Sequence, residues 1–206
     1  MKLLFAHGWG FDRHIWDALA ALLPEWEQVR DDRGYFGVPT SPRVTGPCLA
    51  VTHSLGTMRV LADPPPGLVG IVALNGFARF TACPGHAGVP VRVIDHMLRR
   101  FEQDPQAVLA SFLASVGAPP DVPVIDPTPL MTDLLHLRDG QPPLPDVPVI
   151  SVQGEHDPLL PEAMRTSVFP ACNVHRIHLA GGHLLPLEAP ERCARAVRRA
   201  LAEHTA

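Results

Sequence analysis

The sequence has no long apolar run, no block of like charges and no closely spaced pair of cysteines, and each absence argues against a class of function. A membrane-spanning helix needs about 20 consecutive apolar residues, and no stretch here approaches that length. Lys2 precedes only Leu3, Leu4, Phe5 and Ala6 before polar and glycine residues intervene, too few for the apolar centre of a signal peptide. The net charge of -4 is spread without single-sign runs, which argues against a nucleic-acid surface and against a polybasic membrane anchor. Cys48, Cys83, Cys172 and Cys193 are scattered with no CxxC spacing, the pattern of four reduced thiols in a cytoplasmic protein. No repeat or low-complexity tract stands out. What is present is 206 residues, 46% hydrophobic and 18% charged, a balance that suits one globular domain with a continuous core.

Leu3 to Ala6 is a short apolar run ending in His7-Gly8-Trp9-Gly10, the pattern of a buried strand entering a glycine turn. Asp12 is placed to cap a helix whose apolar positions Ile15, Leu19, Leu22 and Leu23 recur at helical spacing until Pro24 stops it. Trp26 to Arg30 reads as a second strand. Asp31 to Pro47, rich in Gly, Pro, Ser and Thr, reads as a loop, and Leu49 to Thr52 as a third strand. A short helix with Met58, Val60 and Leu61 follows, broken by Pro64-Pro65-Pro66 ahead of a strand at Leu68 to Leu74. Strands that are apolar rather than alternating, interleaved with helices, predict an α/β fold with a mostly parallel sheet covered on both faces.

The alternation breaks at about residues 76–143, read as a helical lid inserted into a single domain spanning residues 1–206. Its first helix is expected to begin at Pro90, with Val91, Ile94, Leu98 and Phe101 on one face and Arg92, His96, Arg99 and Arg100 on the other. Asp104-Pro105 opens a second helix with an apolar stripe of Val108, Leu109, Phe112, Leu113 and Val116, ending at Gly117. A proline-rich return through Pro119, Pro120, Pro123, Pro127, Pro129, Pro142 and Pro143 leads to a buried strand at Pro148 to Gly154. Val174 to Leu179 reads as the last strand, and Pro190 opens a C-terminal helix packed through Cys193, Ala194, Val197 and Leu201.

Serine is a weak nucleophile at neutral pH. It becomes effective when exposed beside an imidazole that takes its proton, with a carboxylate holding that imidazole in one tautomer. Three segments supply these groups in chain order. Thr52-His53-Ser54-Leu55-Gly56 lies between an apolar strand and a helix, the context of a sharp turn that lifts a serine above a sheet edge. Thr52 stands where the usual G-x-S-x-G pattern has its first glycine, so its branched side chain is a candidate source of strain. Glu155-His156-Asp157-Pro158 places a carboxylate at a strand's C-terminal end, where ligand chemistry collects in such sheets. Gly181-Gly182-His183 lies in the loop after the last strand.

Taken singly, Asp157 is an ordinary turn residue and His183 a solvated loop histidine. In this order and these contexts, Ser54, Asp157 and His183 are candidate nucleophile, acid and base. His53 reads as a packing or surface histidine. His175 and His178 stand three apart on a strand and so face opposite sides, which argues against a metal site. Arg195, Arg198 and Arg199 read as a solvated helix face, and no cofactor is called for.

His7-Gly8-Trp9-Gly10, the Ser54 segment, Gly154-Glu155-His156-Asp157 and Gly182-His183 resemble the α/β-hydrolase family across nearly the whole chain. More narrowly, the HGWG start, the strand end Asn75-Gly76-Phe77 and the lid helices resemble the pimeloyl-acyl-carrier-protein methyl ester esterases of biotin synthesis. The resemblance implies a compact α/β-hydrolase fold that hydrolyses an ester without a cofactor, with an oxyanion hole formed by the backbone N–H groups of Trp9 and Leu55. Candidate pocket residues are Trp9, Phe77, Phe80 and Met97, ordinary packing beside the turn being an equal reading of the Trp9 indole. It also implies an acidic carrier protein as partner. Gln106, Ala110 and Ser111 stand where those esterases carry docking arginines, which leaves Arg92, Arg99 and Arg100 for that contact. Two alternatives remain open: a broad carboxylesterase or thioesterase with the same triad, and a noncatalytic binding module on a trimmed hydrolase fold.

Overall fold

The computed structural model describes residues 1–119, 123–170 and 173–204; Pro120 and Cys172, named above, lie outside them. Six parallel strands, β1 (Lys2–Ala6), β2 (Glu27–Arg30), β3 (Cys48–His53), β4 (Leu68–Leu74), β5 (Val149–Gly154) and β6 (Val174–Leu179), form one sheet in the order β2-β1-β3-β4-β5-β6. Strands β3 and β5 are buried at every residue, the polar Thr52, His53, Ser151 and Gln153 included, as expected where both faces of a parallel sheet are covered.

Successive side chains of a strand point to opposite faces, and here they feed two cores. Leu3, Phe5, Leu49, Val51, Val72 and Leu74 meet Trp16, the helix α1 (Asp17–Ala21) and, from the C-terminus, Val197 and Leu201. Leu4, Ala6, Ala50, Ile71 and Ala73 meet α2 (Leu55–Ala62) through Met58 and Leu61. The chain runs outward from β1 to β2 and then returns past β1 to β3. Its direction therefore reverses between β1 and β3, and the crevice at the carboxyl ends of those two strands is where open α/β sheets bind ligands. The His7 to Gly10 turn and Ser54 flank it.

Three helices, α3 (Val91–Phe101), α4 (Pro105–Ser115) and α5 (Pro127–Asp139), are inserted between β4 and β5. Pro90 precedes α3 in extended backbone (φ -56°, ψ 131°) rather than opening it, so the helix starts one residue later than expected. Ile94 and Phe101 are buried, while Arg92, His96, Arg99 and Arg100 are exposed. Asp104 caps α4 through the Ala107 amide at 2.9 Å, a contact worth about 1 kcal/mol in typical helices.

The proline-rich return proves to contain a helix of 13 residues, α5. Pro127 and Pro129 stand in its first turn, where amides have no intrahelical partner and their loss is cheap. Asp126 caps it, and Leu130, Leu134 and Leu137 are buried. Asp133 of α5 is buried and paired. The Arg33 guanidinium forks onto it at 2.7 and 2.9 Å, and the Tyr35 hydroxyl donates to it at 2.5 Å. This ties the insertion to the loop after β2. Arg138 bonds Asp95 at 2.6 Å and joins α5 to α3.

The chain closes with α6 (Glu162–Ser167), α7 (Leu185–Glu188) and α8 (Pro190–Glu203). On α8, Arg198 does more than face solvent: it bonds the Leu22 carbonyl at 2.6 Å, pairs with Glu25 and lies over the Trp26 ring. Among the described residues no helix is long and apolar enough to cross a membrane.

Candidate active site

Ser54 joins β3 to α2 with φ 52° and ψ -124°, a backbone conformation that non-glycine residues rarely hold. Its amide donates to the Leu74 carbonyl at 3.1 Å, which fixes the turn to the end of β4. Such a tight turn brings α2 against β1. A Cβ on Gly56 would lie 2.1 Å from the Ala6 carbonyl oxygen, so only glycine fits there. Leu55 begins the helix, and amides of the first turn have no intrahelical acceptor.

Thr52 is accommodated without displacing a strand. Its neighbours across the sheet are Ala6 and Ala73, small enough to admit the branch, and its hydroxyl is 2.7 Å from that of Thr57. The one register shift between β3 and β4 falls at Cys48/Leu49, at the far end of the strands.

Asp157 and His183 come from the loops after β5 and β6. Their side chains are wholly buried, and His183 Nδ1 lies 2.7 Å from Asp157 Oδ2. The other carboxylate oxygen accepts the amides of Leu159 at 2.8 Å and Leu160 at 3.2 Å, so the loop itself aims the carboxylate. A carboxylate facing Nδ1 fixes the proton there and leaves Nε2 with a free lone pair. His183 Nε2 has no hydrogen-bond partner among the described residues.

Three residues not assigned from sequence hold the His183 loop. Asn75, fully buried at φ 47°, donates through Nδ2 to the carbonyls of Gly182 and His183, both at 2.9 Å. Its Oδ1 accepts the Gly154 amide at 2.7 Å, so one side chain ties the acid-bearing and base-bearing strands together. Glu188 of α7 accepts the amides on either side of His183, from Gly182 at 2.5 Å and Leu184 at 3.2 Å. His53 is buried rather than at the surface. Its Nε2 donates to the His183 carbonyl at 2.9 Å, and the two rings lie 4.9 Å apart. The residue before Ser54 thus touches His183.

The Trp9 indole is enclosed by Phe101 and Phe112 and donates to the Leu130 carbonyl at 2.9 Å, so the ring packs the turn against the insertion. Phe77 and Phe80 are buried against each other, their ring centroids 5.0 Å apart, and Met97 is a half-buried neighbour of that core. Arg92, Arg99 and Arg100 stay exposed on α3 and do not meet the triad. His175 and His178 are exposed on β6, His175 against Arg199. A separate cavity of about 820 Å³ lies beside the loop after β2, lined by Leu4, Arg33, Arg43, Arg59, Asp133 and His136 among others, and includes no triad residue.

Burial holds two histidines near the site below the ordinary imidazole value of 6.5. For His7 the next cause is the positive charge of Arg59, for His53 it is His183. The unfolded chain takes up protons at these rings as pH falls through 6.5, and the folded chain takes them up only at lower pH. Unfolding therefore binds protons in that window, and stability is expected to fall with pH there, with up to about one proton per ring. Urea unfolding followed from about pH 8 to about pH 5.5 checks this: a midpoint that holds or rises contradicts it.

No protein-family model and no curated protein matches the sequence. The fold does match solved structures. A thermophilic esterase from Thermogutta terrifontis is 17% identical, with 98% of this chain and 90% of that one aligned at a TM-score of 0.76. An esterase from Exiguobacterium antarcticum is 15% identical over 97% and 91% of the two chains, at 0.75. A bromoperoxidase from Bacillus anthracis is 15% identical over 98% and 92%, at 0.74. The chain has the α/β-hydrolase fold, here a parallel sheet of six strands with helices on both faces. A shared fold of this kind leaves the reaction to be argued from the site.

Proposed function

We propose that this chain is a serine hydrolase of carboxylic esters, with Ser54 as nucleophile, His183 as base and Asp157 as the acid that orients it. The observation that carries the reading is the buried Asp157–His183 pair at 2.7 Å, with Nε2 unpartnered among the described residues, at the carboxyl edge of the sheet where Ser54 stands in its strained turn. Ser54 Oγ attacks the ester carbonyl as Nε2 accepts its proton, Asp157 stabilises the imidazolium, and the N–H groups of Trp9 and Leu55 receive the oxyanion. The protonated imidazole then gives its proton to the leaving alcohol. Water, activated by the same nitrogen, releases the acid and restores the serine. The esterases among the structural relatives support this reaction class.

The finer reading is the methyl ester of a pimeloyl chain carried on acyl-carrier protein, the step demethylated in biotin synthesis. It rests on the resemblance of the HGWG turn, Asn75-Gly76-Phe77 and the lid helices. Here α3–α5 act as the lid, Trp9, Phe77, Phe80 and Met97 border the acyl chain, and Arg92, Arg99 and Arg100 meet the acidic carrier. Rates on free and carrier-linked methyl esters test it. Charge-steered association weakens with salt, so hydrolysis of the carrier-linked ester is expected to fall with ionic strength while a small neutral ester is unaffected. Replacing Arg99 and Arg100 together with Glu is expected to lower kcat/KM about 10-fold on the carrier-linked ester alone. Equal loss on both substrates, or on neither, removes the carrier and leaves a general carboxylesterase.

A further inference from the structure

The ring of His7 is wholly buried and is engaged at both nitrogens. Nδ1 lies 2.8 Å from the carbonyl oxygen of Gly8, and Nε2 lies 3.0 Å from the amide nitrogen of Arg33. A backbone amide only donates, so Nε2 is the acceptor, and the proton of the neutral ring stands on Nδ1 and is donated to the Gly8 carbonyl. Burial and the charge of Arg59 disfavour the charged ring, and a proton on Nε2 would set two donors against each other.

The Gly8 carbonyl and the Trp9 N–H belong to one planar trans peptide, so they point in opposite directions. Whatever holds the carbonyl also aims the N–H. Gly8 itself abuts the nucleophile: a Cβ there would come within 3.0 Å of the Ser54 Cβ and 3.0 Å of the His53 ring.

We propose that His7 is a positioning residue, whose Nδ1–H holds the Gly8–Trp9 peptide so that the Trp9 N–H faces the oxyanion formed at Ser54. The insertion secures it from behind. The amide that fixes the tautomer belongs to Arg33, whose guanidinium is forked onto Asp133 of α5, and the Tyr35 ring packs edge-on to His7 at 5.5 Å while its hydroxyl donates to the same carboxylate. The inference rests on the hydrolase reading of Ser54 and adds to it how one oxyanion donor is oriented and what the insertion does for it.

Three substitutions separate the two nitrogens. In His7→Asn the side-chain amide reaches the place of Nδ1 and still donates to Gly8. In His7→Gln the side chain reaches the place of Nε2, still accepts from Arg33, and leaves the Gly8 carbonyl unheld. His7→Phe keeps the ring contact and loses both bonds. The readouts are steady-state hydrolysis of p-nitrophenyl butyrate, affinity for butaneboronic acid as a tetrahedral adduct of Ser54, and a thermal unfolding curve for each variant.

Losing one oxyanion donor typically costs 100-fold or more, so kcat is expected to drop about 100-fold in His7→Gln and His7→Phe. KM should move less than about 3-fold, and boronate affinity should fall along with kcat. His7→Asn is expected to recover at least about a tenth of the parent kcat. If His7→Phe does not fold, the Asn and Gln variants decide alone. Equal kcat in those two, or a loss carried by KM, overturns the proposal. Fluorophosphonate labelling of the parent chain reads the underlying assignment separately: no adduct at Ser54 overturns both, whereas a labelled parent with equal Asn and Gln rates overturns only the role of His7.

Discussion

Replacing Ser54 with alanine is expected to lower ester hydrolysis by about four orders of magnitude or more, because the oxyanion donors and the binding site alone retain only a small part of catalysis. The folded state should barely notice. Among the described residues the Ser54 hydroxyl makes no hydrogen bond, while the backbone bond from its amide to Leu74 and the φ of 52° are properties of the turn that alanine shares. The thermal midpoint is therefore expected to stay within about 2 °C of the parent. Steady-state kinetics on a p-nitrophenyl ester and a melting curve measure the two quantities. A variant that keeps more than about a hundredth of the parent rate contradicts the assignment of Ser54.

The second large effect is expected at the buried pair. In Asp157→Asn the amide oxygen can still accept from Leu159 and Leu160, which turns the NH2 group toward His183 Nδ1. A donor facing Nδ1 drives the ring proton to Nε2, the tautomer that cannot take a proton from serine, and a loss of about 10⁴ in kcat is expected. His183→Ala removes the base outright and is expected to lose at least as much. It should also cost stability that the asparagine variant does not, on the order of 1–3 kcal/mol, because it strips one partner from a carboxylate with no exposed surface. The double variant should be no slower than the worse single one by more than about 10-fold, since both groups serve one proton transfer. Losses that multiply in the double variant would mean independent roles and would break the triad.

The parts of this architecture legible from sequence are those governed by continuous local patterns. Short, largely apolar segments such as Leu68–Leu74 and Val149–Gly154, bounded by turn residues, read as buried strands, and a serine, a carboxylate and a histidine each placed just beyond a strand fall on the same, carboxyl, edge of a parallel sheet. Proline content misled at α5, because Pro127 and Pro129 count against a helix only if they stand in its interior. Thr52 suggested strain because the sequence does not reveal that Ala6 and Ala73 are its partners across the sheet. The residues that steady His183 were harder still to find. Asn75, followed by glycine at a strand end, carries the mark of a left-handed turn and nothing of its bonds to Gly154, Gly182 and His183. Glu188 resembles any acidic residue of a short surface helix, and only the folded loop shows its carboxylate between the amides of Gly182 and Leu184.

The central claim is that one serine of this chain is an activated nucleophile. Its most direct test is to treat the native protein with a fluorophosphonate at neutral pH, digest it and map the adduct by mass spectrometry. The account predicts a single modified peptide carrying the phosphonyl group on Ser54, formed in the parent protein and lost in both Ser54→Ala and His183→Ala. An unlabelled parent, an adduct on any other serine, or full labelling of the His183→Ala variant would contradict it.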